Sequence, residues 1–454
     1  MAEFAKANPF SNLKAISSLD GRFRGNIENY SDYFSEFATM KLRVELEINY
    51  LISIFDFLEK RKLSYEEKKR LIDIYEDFSD EDAEWLQDKD LQINHDTKST
   101  EYFIREKLQG INFDLSNYVH IGITSADIDS NALVISIMRF ENEVFAELRT
   151  NFLRSLQEFI SNNKESVFLA KTHGKAALPT TMGKEGVNYL SRLDKLHNKI
   201  RNHPFEGKLT GAVGNFNALY AAYPDKNWKG FSQAFISKLG LHPNLFTTQI
   251  LPYDNIAEYL SLITQFNNIL VDLARDFWSY ISMDLLTLKI NKNEVGSSTM
   301  PHKVNPISFE GAEAYLLLST NTLSFFCKEL MTNRLQRDLT DKYLSREIGT
   351  GIVQAALGYS MVLGGVNNVI FNPSVANNEL NDHWETLGEA VQTILRREGF
   401  SESYEIVKDL TRGKRLNKSD FLDVISALDG VSEETKSELR RLNPKDYIGW
   451  AKDI

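Results

Sequence analysis

The segment NIAEYLSLITQFNNILVDLARDFWSYIS, residues 255–282, decides the fold class. Ile256, Leu260, Ile263, Phe266, Leu270, Leu273, Phe277 and Ile281 recur at steps of three and four, the period of one helix face. The segment contains neither proline nor glycine, so nothing in it breaks a helix. A helix of about 30 residues is roughly 45 Å long, and helices of that length pack lengthwise in bundles. A continuous, partly aromatic stripe of this length favours burial against more than one neighbour, and therefore an oligomer. A large monomeric bundle is the alternative.

Outward from this segment the pattern repeats. Val44, Ile48, Leu51, Phe55 and Leu58 form one further stripe, and Leu133, Ile137, Phe140, Val144, Leu148, Phe152, Leu156 and Phe159 another. After Pro9 the next proline is Pro179, which leaves room for long helices. Residues 308–366 are helix-compatible, with breaks expected near Thr332–Thr340 and at Gly349-Thr350-Gly351. Strand-like alternation is scarce, so the fold is expected to be all-α: a long central bundle (111–365) between smaller helical domains (1–110 and 366–454).

The chain has 454 residues, 42% of them hydrophobic and 25% charged, enough for a large core and against widespread disorder. Its net charge of −11 argues against general binding to nucleic acid or anionic membrane. Any phosphate site must then be a local cluster of Arg and Lys. Cys327 is the only cysteine, which excludes an intramolecular disulfide and a cysteine-built zinc site. The first residues, MAEFAKANPF, lack the apolar run of a signal peptide, and no uncharged stretch reads as long enough to span a bilayer. A cytoplasmic protein is expected.

Residues 291–306 are rich in small and polar side chains. Asn305-Pro306 reads as a helix start, Asn as N-cap and Pro in the first turn. Ser297, Ser298, Thr299, His302 and Lys303 lie beside that helix N-terminus, where backbone N–H groups favour anions. A serine in this field ionises more readily, and a carboxylate is equally at home there.

The string Gly296-Ser297-Ser298-Thr299-Met300-Pro301-His302-Lys303-Val304-Asn305-Pro306 resembles the signature of the fumarase/aspartase superfamily, whose members eliminate fumarate from succinyl compounds. Its MPHK form is most similar to the adenylosuccinate lyase family. Asp20-Gly21-Arg22-Phe23, Asn94-His95-Asp96, Thr124-Ser125, Thr172-His173-Gly174, Thr247-Thr248-Gln249-Ile250, Gln336-Arg337-Asp338-Leu339-Thr340-Asp341 and Leu410-Thr411-Arg412-Gly413-Lys414-Arg415 follow in the family's order. The resemblance thus covers nearly the whole chain.

It implies Ser297 as the base (Ser298 if the two serines exchange roles), His173 as the general acid and Glu310 as its partner. It implies Lys303, Asn305 and Ser298 on the substrate carboxylate. Arg22, Arg337, Lys342 and Arg346 become ligands of phosphate or carboxylate, Gln249 a ligand of the purine or imidazole portion, and Phe23 a further substrate contact. Asn94, His95, Asp96, Thr124 and Ser125 line the site. No metal or cofactor is implied, and the active sites are expected to be shared between subunits of a homotetramer. Read without the family, each of these residues has a plainer role: His173 structural, 94–96 a polar turn, Thr124 an N-cap, each arginine a solvated charge.

The sequence departs from the family in three places. Lys175-Ala176-Ala177 stands where Gln-Pro-Ala is expected, Lys342 where a serine is, and Gly311 where an asparagine is. These changes leave open another fumarate-releasing lyase with a different succinyl amine substrate. A non-catalytic structural oligomer of the same fold is the remaining reading.

Overall fold

The computed structural model describes residues 12–109, 111, 113–290, 299–300 and 302–454. Helices dominate throughout, accompanied by three two-stranded sheets among the described residues. The chain divides into two compact units. One comprises residues 1–148, 196–268 and 315–357; the other comprises 149–195, 269–314 and 358–454.

In the first unit, the stripe from Val44 to Phe55 lies in the helix Glu36–Phe57, with Leu58 as its C-cap and the Ser35 side chain capping its start on Ala38 N–H. Its buried face joins Leu71, Leu86, Phe103, Ile104 and Leu115 in one apolar cluster. Each such fully buried side chain contributes on the order of 1.5–3 kcal/mol. Shorter helices around it begin at reciprocal capping boxes, Ser64 with Glu67 and Ser79 with Asp82, which satisfy N–H groups that the helix cannot.

The segment 255–282 folds as the helix Asp254–Ser282. Ile256, Leu260, Ile263, Phe266, Leu270, Leu273 and Phe277 are buried, and Ile281 is half-buried. The other long stripe runs through Ser125–Phe140, a π turn at Glu141–Phe145, and Ala146–Asn162. There the expected face slips by one position. Phe145 and Arg149 are buried, whereas Val144 and Leu148 are only half-buried. A π turn inserts one extra residue into the helical repeat, which shifts the core positions locally; beyond it Phe152, Leu156 and Phe159 are buried as expected.

The expected break at Thr332–Thr340 is present: one helix ends at Glu329 and the next begins at Thr340. The break expected at Gly349-Thr350-Gly351 falls slightly earlier, between Ser345 and Ile348, so these residues form the first turn of the helix Ile348–Asn368. Both glycines serve close packing there. A Cβ on Gly349 would sit 2.7 Å from Phe34, and one on Gly351 2.7 Å from Leu323. The stretch Thr340–Asn368 is also long and apolar enough to cross a bilayer, contrary to the sequence reading. Of its most apolar window, 67% is buried inside the protein, as in a core helix.

The second unit contains the hairpin Val167–Thr172 and Lys175–Thr181. It also contains a short antiparallel pair, Leu286–Leu288 with Val369–Phe371. A separate apolar cluster holds its C-terminal part together, built on Trp384, Leu387, Leu395, Phe421, Ile425 and Leu439.

Candidate active site

Sequence-predicted site residues occur in both units. In the first, Asn94 ends the helix Asp80–Ile93 in the left-handed conformation, φ 54°. His95 then caps the helix Asp96–Leu108, its Nδ1 accepting from Lys98 N–H at 3.1 Å. The polar turn and the site motif are therefore one structure, with His95 exposed at its bend.

Asp96 is half-buried and belongs to a closed ring of charges. Its Oδ1 lies 2.5 Å from Lys342 Nζ and its Oδ2 3.1 Å from Arg43 Nη2. Arg43 Nε and Lys342 Nζ each reach Asp129 as well, at 2.8 and 3.2 Å. Thr97 Oγ1 donates to Asp129, and Arg346 Nη2 approaches Asp96 Oδ2 from outside at 3.6 Å. Burial would raise the Asp96 pKa, but Arg43 and Lys342 hold it far below the usual carboxylate range. The structure thus brings Asp96, Lys342 and Arg346 together, and adds Arg43 and Asp129. The sequence reading missed both, since each sits inside a helix and reads as an ordinary surface charge.

A second buried arrangement holds Thr124 and Gln249. Asp127 and Lys208 form an ion pair at 2.6 Å with both side chains fully buried. Asp127 also accepts from the N–H groups of Thr124, Thr210 and Gly211. Lys208 Nζ donates to the Gln249 carbonyl at 2.7 Å. The Gln249 side chain reaches the Ala212 carbonyl, and its Oε1 accepts from Arg337 at 3.4 Å. Thr124 is indeed an N-cap, with Ser125 the first residue of its helix.

Just before Thr124, His120 adopts φ 57° and its Nδ1 lies 2.5 Å from buried Glu47. Burial pushes the His120 pKa down, and Glu47 more than reverses this, leaving it raised. Arg22 is exposed. Phe23 meets Tyr315 edge-to-face, with ring centres 5.2 Å apart.

In the second unit, His173 sits at the tip of the hairpin. Thr172 pairs with Lys175, so His173-Gly174 is a two-residue turn. Both turn residues have positive φ, 53° and 72°, as a type I′ hairpin turn requires. His173 and Lys175 are exposed there. The sequence reading did not anticipate this hairpin, whose turn is flanked by Lys171-Thr172 and Lys175.

Glu310 lies in the first turn of the helix Ile307–Glu329 and accepts from Trp278 Nε1 at 3.1 Å. Among the described residues no hydrogen bond joins it to His173. That helix starts one residue later than Asn305-Pro306 implied. The Pro306 carbonyl accepts from Phe309 and Glu310, which gives Pro306 the capping position. Lys303 is exposed and Asn305 half-buried. Ser297 and Ser298 lie outside the described residues. A Cβ-sized group at Gly311 would meet Met361 Sδ at 3.0 Å, so an asparagine there would require that sulfur to shift.

Long helices, an arginine-lined charged cluster and a histidine presented on a hairpin are compatible with the fumarase/aspartase class of helical lyases that the sequence resembles. Comparison with known proteins narrows the class. The family model described as Lyase matches residues 21–317, and the one described as Adenylosuccinate lyase C-terminal matches residues 333–448. The adenylosuccinate lyase of Dictyostelium discoideum is 39% identical, covering 98% of this chain and 98% of its own length. That of Escherichia coli is 36% identical, covering 97% and 98%. A crystal structure of a fumarate lyase from a Mesorhizobium species has a TM-score of 0.78 at 17% identity, covering 94% of this chain and 96% of its own; this likeness speaks for the fold. The chain belongs to the adenylosuccinate lyase family.

Proposed function

We propose that the protein eliminates fumarate from adenylosuccinate, giving AMP, and from the succinylated aminoimidazole carboxamide ribotide, giving AICAR. The observation that carries this reading is the end-to-end match to adenylosuccinate lyases, which runs through both units.

In the proposed reaction Ser297 removes a proton from the carbon beside a substrate carboxylate. Lys303, Asn305 and Ser298 hold that carboxylate as negative charge builds on it. The carbon–nitrogen bond breaks, and His173 delivers a proton to the departing nitrogen. Glu310 orients His173. Arg22, Arg337, Lys342 and Arg346 form the positive wall for phosphate, with Gln249 and Phe23 beside the base. Asn94, His95, Asp96, Thr124 and Ser125 complete the lining.

These groups are distributed over two units of one chain, and the proposal is that subunits of a homotetramer share each site. The helix Ile307–Glu329 supports an assembly: it buries Phe309, Ala312, Leu316, Leu323 and Phe326 yet exposes Leu317, Leu318 and Phe325. A helix apolar on several faces calls for more than one neighbour. A cytoplasmic location fits the single cysteine, and the three-part division at residues 110 and 365 completes the proposal.

The test is release of fumarate from adenylosuccinate by purified protein, compared with argininosuccinate, aspartate and malate. Release from adenylosuccinate alone is expected; none from it overturns the reading. Release from another succinyl amine instead would favour the second reading, for which exposed Lys175 beside His173 is the supporting observation. Ser297→Ala is expected to lower kcat by about 10²–10⁴, the range for a lost proton-transfer group.

A further inference from the structure

The ring around Asp96 gives Lys342 a role that its position in a phosphate wall does not suggest. Arg43, Asp96, Lys342 and Asp129 alternate in sign, and each carboxylate bridges both cations. Lys342 Nζ lies between Asp96 Oδ1 at 2.5 Å and Asp129 Oδ2 at 3.2 Å. Its side chain is 20% exposed, whereas that of Arg346 is 49% exposed. Arg346 is the outer group, and Lys342 is the inner one, already engaged by two carboxylates.

The ring opens on a cavity of about 90 Å³ whose lining includes Glu36, Arg43, Asp129, Arg337, Asp341, Lys342 and Arg346. Four cations (Arg43, Arg337, Lys342, Arg346) line it with three carboxylates (Glu36, Asp129, Asp341), and Asp96, paired to Lys342 outside the lining, makes the carboxylates four. The balance is even, so a single charge decides the sign of the field at the cavity.

We propose that Lys342 is a positioning residue that acts as an internal counter-ion. It neutralises Asp96 and Asp129, and so leaves Arg346 available to the anionic group of the substrate. This role deepens the lyase reading and rests on it for the identity of the substrate. Without Lys342, the Asp129 carboxylate in the cavity wall and the Asp96 carboxylate behind it lose a shared counter-charge, repel a phosphate and draw Arg346 inward. The lysine is therefore needed because Asp129 is charged, and removing that charge removes the need.

The prediction is one of opposite signs. Lys342→Ser is expected to raise KM for adenylosuccinate at least tenfold more than it lowers kcat. Asp129→Asn is expected to leave KM equal or lower, and Lys342→Ser with Asp129→Asn to return KM to within about threefold of the parent. A purely structural role for the ring would make both single variants worse and the double variant worse still.

The shift in melting temperature produced by inorganic phosphate gives a reading independent of turnover: present in the parent, lost in Lys342→Ser, regained in the double variant. Equal shifts in the parent and Lys342→Ser, or no shift in the parent, overturn the counter-ion role whether or not fumarate is released. Absence of fumarate release with the phosphate pattern intact overturns the lyase reading alone.

Discussion

At the scale of single residues, Asp96 and the Asp127–Lys208 pair set two different dependences. The Asp96 pKa is lower in the folded protein than in the unfolded chain, so the folded state binds fewer protons. Its contribution to stability is complete above the unfolded value of about 4 and is lost as pH falls further, toward the depressed folded value. Urea midpoints measured from pH 6 to pH 3 are expected to fall, with a shallower slope in Asp96→Asn; parallel slopes would contradict this. Lys208 works otherwise, because both it and Asp127 are fully buried. Lys208→Met strands a buried carboxylate, a change that costs about 3–5 kcal/mol. The low end is expected, since Asp127 keeps its backbone N–H donors. Urea unfolding of the variant measures it.

At the scale of elements, the sequence made the long helices plain and hid the local features within them. The stripe from Ile256 to Phe277 was legible because burial on one face imposes its own period. The π turn at Glu141–Phe145 was not, because one inserted residue changes phase without changing composition. Gly349 and Gly351 read as breakers, since glycine usually is one, and only the neighbouring Phe34 and Leu323 show why they stand inside a helix. The site divides in the same way. Local motifs such as Asn94-His95-Asp96 were readable, whereas Arg43, Asp129 and Lys208 gain meaning only from partners far along the chain.

The His173 hairpin gives this scale its prediction. Gly174 has φ 72° and nothing within 4 Å of a would-be Cβ, so only backbone conformation opposes a side chain there. Gly174→Ala is expected to cost roughly 1 kcal/mol and to lower kcat more than tenfold by displacing His173. Gly174→Asn, which tolerates the left-handed region, is expected to retain most activity. Equal kcat values for the two variants, from steady-state assays at matched folding, would remove the turn from the mechanism.

At the scale of the whole molecule, the two-sided helix Ile307–Glu329 and the distribution of proposed catalytic groups lead to one experiment. If each site takes His173 and Ser297 from different subunits, then two inactive proteins contain between them everything one active site needs. His173→Ala and Ser297→Ala, each inactive alone, are to be mixed after reversible dissociation and allowed to reassemble. Random reassortment places two intact groups in about one site in four, so roughly a quarter of parental activity is expected. Sites complete within one subunit would give none, because every subunit carries one defect. Placing charge on the exposed apolar face, as in Leu318→Glu with Phe325→Glu, separates assembly from chemistry. Sedimentation is expected to show smaller species from that variant, and adding it to either single mutant is expected to restore nothing, since it cannot enter a shared site.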